Sequence, residues 1–188
     1  LTAFEFFSEL AVQCVIASGD VARPFAEPTP FYVLLEFEAL SPAIEEQAMQ
    51  VFEQCMEEGW VLNGVMSQNE TQAQNLWRLR EDISETIAKF TPYKNDISVL
   101  ITHVPAFIAD IDAIVTANYP DFDIVWFGHI GDGNLHLNIL KPANLTKDEF
   151  FGKCQVVNKQ VFETVQKYNG SISAEHGVGM TKKPYLEY

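Results

Sequence analysis

Gly128-His129-Ile130-Gly131-Asp132-Gly133-Asn134-Leu135-His136-Leu137-Asn138 decides how this chain folds and where its chemistry lies. Asp-Gly between alternating apolar residues is a hairpin signal, because a two-residue turn of the primed type needs positive φ at both central positions. A turn at Asp132-Gly133 sets Gly131 opposite Asn134, Ile130 opposite Leu135 and His129 opposite His136. Directly opposed residues have Cβ atoms roughly 4.5–5.5 Å apart, so two imidazoles there reach one metal ion. Side chains alternate along a strand. One face of the hairpin then carries Ile124, Trp126, Gly128, Ile130, Leu135, Leu137 and Ile139 and packs on a core. The other carries Phe127, His129, Asn134, His136 and Asn138. Two histidines leave the site incomplete, since zinc takes three or four ligands.

The rest of the chain supplies a setting for that hairpin. Its 188 residues form one large domain or two small ones, and 47% hydrophobic content suits a packed core. The formal net charge of −14, from 12 basic and 26 acidic residues, repels nucleic acid and anionic membranes and excludes both as expected partners. No apolar stretch approaches the ~20 residues of a membrane span. Cys14, Cys55 and Cys154 are widely spaced and form no CxxC pair, which reads as reduced thiols in a cytoplasmic protein. The chain opens at Leu1 without Met and stops at Tyr188 soon after a motif-rich stretch. These ends predict a fragment of a longer protein.

Residues 2–17 show helical apolar spacing, and a Pro-rich connector runs from Ser18 to Pro30. A strand is expected over Phe31–Phe37. Ser41-Pro42 opens a helix that runs to Gly59, with Ser at the N-cap and Pro at the first helical position. Further expectations are a strand over Trp60–Met66, a helix capped by Asn69 and ending near Lys89, a strand over Tyr93–Ile101 and a helix over Val104–Tyr119. The hairpin follows, then a helix over 146–168 and a short strand over Gly170–Ala174. Interleaved strands and helices around a hairpin give an α+β, ferredoxin-like architecture, mainly an antiparallel sheet with helices packed on one face. Neither GxGxxG nor the P-loop pattern occurs, so no element can be named as holding a nucleotide cofactor.

Three further groups carry polar chemistry. Glu175-His176 precedes Gly177-Val178-Gly179 at the end of the last strand. Glu175 is a candidate third metal ligand and His176 a candidate general base, since imidazole titrates near physiological pH; the plainer reading is a surface pair in a glycine loop. Arg80 and Ser84 lie one turn apart beside the apolar stripe Leu76, Leu79, Ile83 and Ile87. Arg suits a carboxylate gripped by two hydrogen bonds, although a solvated Arg80 paired with Glu81, Asp82 or Glu85 satisfies the spacing equally. Lys94 opens a strand, where spacing alone does not distinguish it from a solvent-facing lysine.

The segments 128–136 and Ser173-Ala174-Glu175-His176-Gly177-Val178-Gly179 resemble the two signature motifs of the FAD-linked oxidase C-terminal domain, found in vanillyl-alcohol-oxidase-type flavoproteins such as D-lactate and D-2-hydroxyglutarate dehydrogenases. Leu76–Glu81 and Tyr93–Val99 resemble further family segments, in the right order. The resemblance implies that residues 1–188 form a substrate-binding cap, with the N-terminal FAD-binding domain and the usual C-terminal tail absent. It implies a divalent metal, zinc or manganese, on His129, His136 and Glu175, and His176 as the base beside them. Asn138 resembles a substrate-contacting Asn; Arg80, Ser84 and Lys94 resemble a carboxylate pocket in which the position of Ser84 is more often Thr. The implied partners are a small 2-hydroxy acid and the chain's own FAD-binding domain, with a homodimer left open. The implied reaction is oxidation of a D-2-hydroxy acid, D-2-hydroxyglutarate first and D-lactate or glycolate second. A flavin-independent hydrolase or lyase and a non-catalytic binding module are the competing classes.

Overall fold

The hairpin forms around a longer turn than expected. In a computed structural model that describes residues 1–19 and 21–188, β4 (Ile124–His129) and β5 (Asn134–Ile139) are joined by a 3-10 turn over Ile130–Asp132 followed by Gly133. Only Gly133 has positive φ, at 70°, so the primed two-residue turn does not occur. The turn is pinned from outside. Gly133 O accepts from Val99 N at 3.0 Å, and a Cβ on Gly133 would lie 1.9 Å from Val99 O. His129 therefore pairs with Asn134 and Phe127 with His136, a displacement of two residues from the expected register. Because the side-chain period is also two, every residue keeps its expected face. The two histidines become diagonal neighbours instead of an opposed pair.

Three more strands complete the sheet: β1 (Ala3–Ser8), β2 (Phe31–Glu36) and β3 (Tyr93–Ser98), in the order β2-β1-β4-β5-β3 with every pairing antiparallel. The helix expected over 2–17 is confined to α1 (Glu9–Ile16). Its first third is instead a strand inside the sheet, because the run Phe4-Glu5-Phe6-Phe7 divides its side chains between two cores. Phe6 belongs to one and Phe7 to the other, an alternation only a strand provides.

The first core lies between the sheet and α5 (Val104–Asn118) with α6 (Lys147–Lys167), where Phe107, Ile111, Phe150 and Phe162 cover Ile97, Trp126, Leu135 and Leu137. A Thr146–Glu149 capping box starts α6. The second core is smaller. Val12 of α1, Leu79 of α3 (Glu70–Glu81) and Ile83 and Ile87 of α4 (Ile83–Ala88) cover Phe7, Val125 and Phe127 on the opposite face. The α+β class and antiparallel sheet hold, while helices occupy both faces where one was expected.

The unit β3-α5-β4-β5-α6 is ferredoxin-like: β3 and β4 flank β5, each antiparallel to it. The fourth strand, expected over Gly170–Ala174, shortens to one bridge between Ser98 and Ser171. Helix α2 (Pro42–Glu57) begins at Ser41-Pro42 as expected, although the Ser41 side chain makes no capping bond. The strand expected over Trp60–Met66 is irregular: Asn63 Oδ1 accepts from Gly64 N, and the Phe52 ring lies against Gly64. Among the described residues no helix is long and apolar enough to cross a membrane.

Candidate active site

Three rows of paired residues cross the sheet on the face turned away from α5 and α6. They are His129–Asn134–Ser98, Phe127–His136–Asp96 and Val125–Asn138–Lys94. Register thus delivers two imidazoles, two amides, a carboxylate and an ammonium to one surface. The loop after Ser171 folds back over it. Asp96 Oδ2 accepts from Glu175 N at 2.9 Å and from His176 N at 3.0 Å, which fixes the loop's backbone beside the hairpin. The resulting cleft, about 720 Å³, is lined by Arg80, Ser84, Lys94, Asn95, Asp96, Phe127, His129, His136, Asn138, His176 and Lys182 among others.

His129, His136 and Glu175 come together as expected, with one ligand atom from each inside a 4.8 Å cluster. A carboxylate stands beside Nδ1 of each histidine, and among the described residues only His129 is hydrogen-bonded to its own. His129 Nδ1 lies 2.8 Å from Glu5 Oε1, and His136 Nδ1 lies 3.4 Å from Asp96 Oδ1. Nε2 is then the ligating nitrogen left to His129, and it lies 3.3 Å from Glu175 Oε1. Asn134 Nδ2 donates to the same Glu175 oxygen at 3.2 Å. Burial lowers the His136 pKa to about 4 against the opposing pull of Asp96, so the ring is neutral near pH 7, the form that binds metal. Burial alone would raise the Asp96 pKa. The N–H groups of His176 and Glu175 more than offset it, and the carboxyl stays below its ordinary range. Two imidazoles and one carboxylate, with the Glu5 carboxylate behind His129, fit a divalent ion with an open position.

Arg80 is buried and lines the cleft, with its Nε donating to Glu5 Oε2 at 2.9 Å and its guanidinium carbon 4.9 Å from the Phe127 ring centre. None of the solvated pairings open from spacing describes it: its acidic partner is Glu5, 75 residues away. Burial lowers its pKa, while Glu5 works in the opposite direction. Ser84 and Lys94 are exposed on the cleft wall. Asn138 is 1% exposed; its Nδ2 donates to His136 O, while Oδ1 has no partner among the described residues. The His176 ring is exposed, with its centre 6.2 Å from that of His136.

Glu5, Asp96 and Lys182 escape the sequence reading. Lys182 Nζ donates to the backbone carbonyls of Asp96 and Ile172, pegging the loop to β3. Period-two spacing from Lys94 places Asp96 on the site face. A lone Glu in an aromatic run marks Glu5, once 3–8 is read as a strand.

A model of the "FAD linked oxidases, C-terminal domain" family matches residues 1–188. The chain belongs to this family of FAD-linked oxidase C-terminal domains, and the cleft is built on its antiparallel sheet. A D-2-hydroxyglutarate dehydrogenase of Stutzerimonas stutzeri is 70% identical over the whole chain, and one of Xanthomonas citri is 54% identical over 99% of it. A putative mitochondrial D-lactate dehydrogenase of Schizosaccharomyces pombe is 36% identical over the whole chain. The chain spans 40%, 39% and 37% of these three relatives.

Proposed function

We propose that this chain is the substrate- and metal-binding domain of an FAD-dependent D-2-hydroxy acid dehydrogenase acting on D-2-hydroxyglutarate, with the flavin held by an N-terminal domain of the longer protein. The observation that carries the reading is the convergence of His129, His136 and Glu175 in a cleft that Arg80 and Lys94 also line. Family membership favours a flavin-linked reaction over a flavin-independent hydrolase or lyase. Arg80 and Lys94 in one cleft favour a dicarboxylate over lactate or glycolate, in keeping with the names of the two bacterial relatives. The three free thiols support a reducing, cytoplasmic setting.

A zinc or manganese ion on His129, His136 and Glu175 would supply Lewis acidity toward the substrate's 2-hydroxyl, and the flavin would supply the acceptor for the hydride from C2, leaving a 2-oxo acid. The chain's own residues do the rest. Arg80, immobilised by Glu5 and Phe127, presents its remaining N–H groups to a substrate carboxylate, and Lys94 and Ser84 add a charge and a hydroxyl along the wall. Asn138 presents its amide to the substrate from the floor of the cleft. His176 takes the hydroxyl proton. Such orientation removes much of the entropic part of the barrier.

In the full-length protein, D-2-hydroxyglutarate is expected to turn over faster than D-lactate, and a chelator to suppress the reaction. His176→Ala should lower kcat by about 10²–10⁴, the usual range for a general base; near-normal turnover would reject that role. His129→Ala should purify with less metal than wild type, and equal metal content would reject the ligand set.

A further inference from the structure

Glu5 is the most deeply placed charge at the site, 5% exposed in the middle of β1. Its two oxygens serve two functional groups. Oε1 lies 2.8 Å from His129 Nδ1, and Oε2 accepts from Arg80 Nε at 2.9 Å. The neighbours in its strand, Phe4 and Phe6, point to the other face, so the carboxylate is a single polar insertion among aromatic residues. A buried carboxylate without partners costs several kcal/mol. It is retained here between one ring and one guanidinium, both lining the same cleft.

We propose that Glu5 is a positioning residue that couples the two halves of the site: it sets the tautomer and orientation of His129 for metal, and it fixes the guanidinium plane of Arg80 for substrate. The proposal rests on the metal- and substrate-binding reading above. An ionised carboxylate only accepts, so the Nδ1 facing it carries the hydrogen and the Nε2 lone pair is directed to Glu175 and the ion. The same carboxylate holds Arg80 by Nε, leaving the paired Nη groups for a substrate carboxylate. Gln cannot replace it. Its one oxygen can accept from His129 or from Arg80, and its NH₂ then opposes the other donor.

The test uses full-length flavoprotein stripped of metal and titrated with zinc against a competing chelator. Wild type is expected to bind zinc, and Glu5→Gln to bind it about 10–100-fold more weakly, the usual cost of removing an outer-shell partner, with its flavin content intact. At saturating zinc, Glu5→Gln should also raise KM for D-2-hydroxyglutarate more than it lowers kcat. Zinc affinity and KM both equal to wild type overturn the role of Glu5 and leave the metal centre standing. Absence of zinc binding by the wild type overturns the metal centre, and the role of Glu5 with it. If Glu5→Gln fails to fold, Glu5→Leu/Arg80→Met, which removes both buried charges together, answers the same question. Its zinc affinity should still fall, and wild-type affinity in that variant overturns the proposal.

Discussion

Asn138 shows how a residue can be placed for function at the expense of stability. Its side chain is almost wholly enclosed, opposite Val125 on one side and Lys94 on the other, and its Oδ1 has no hydrogen-bond partner among the described residues. A buried acceptor left unpaired costs about 1–3 kcal/mol. Leu has the same branched heavy-atom skeleton, with bulkier methyl ends, and no such penalty. Asn138→Leu is therefore expected to leave the urea midpoint unchanged or raise it, while kcat/KM for D-2-hydroxyglutarate falls about ten- to a hundredfold, the worth of one or two hydrogen bonds to a charged ligand. A variant that loses stability and keeps activity would make Asn138 a structural residue.

At the scale of the element, the β4–β5 turn decides the geometry. Gly133 combines left-handed backbone with a backbone oxygen where a side chain would begin. Gly133→Ala incurs about 1–2 kcal/mol for the left-handed conformation alone and must also displace the carbonyl of Val99, whose N–H bonds Gly133 O. A loss of more than about 2 kcal/mol by chemical denaturation is expected, and a loss within a few tenths would contradict the pinned turn. The same turn shows what the sequence could express. Alternation placed the two histidines and both asparagines on one face without ambiguity, and that assignment survives a register displaced by two. The displacement itself is set by contacts with residues 99–101, distant in sequence, which local turn chemistry does not encode. Residues 3–8 were obscured for a related reason. Phe6, Leu10 and Ile16 fit a helical spacing, and only the presence of a core on each side of the sheet separates Phe6 from Phe7. With that strand hidden, Glu5 was hidden too. The candidate ligands were legible because they sit in two short motifs; the carboxylates behind them were not, because they arrive from β1 and β3.

At the scale of the molecule, one carboxylate of α1 gathers partners from the connector and from β2. Glu9 accepts from Arg23 Nη2 at 2.6 Å and Nη1 at 3.0 Å, from Tyr32 Oη at 2.7 Å and from Gln13 Nε2 at 2.9 Å. The Arg23 hydrogen bonds are the largest cause holding its pKa at about 2, below the ordinary 4.5. Because the folded value is depressed, the unfolded chain takes up this proton first as pH falls. The stabilisation is full above about 4.5 and disappears as pH drops through about 2. His136 acts in the same direction at higher pH in the metal-free protein. Its folded value near 4, against the ordinary 6.5, makes the folded state resist a proton that the unfolded chain accepts, so stability declines from pH 6.5 towards 4. With an excess of acidic over basic residues, 26 against 12, protonation also relieves like-charge repulsion, which opposes both losses. Comparison with a variant separates the local effect from the global one. Urea midpoints of metal-free wild type and Glu9→Gln, measured from pH 7 to pH 2, should differ most above pH 4.5 and converge towards pH 2. A constant difference across that range would show that the Glu9–Arg23–Tyr32 cluster contributes through shape and not through charge.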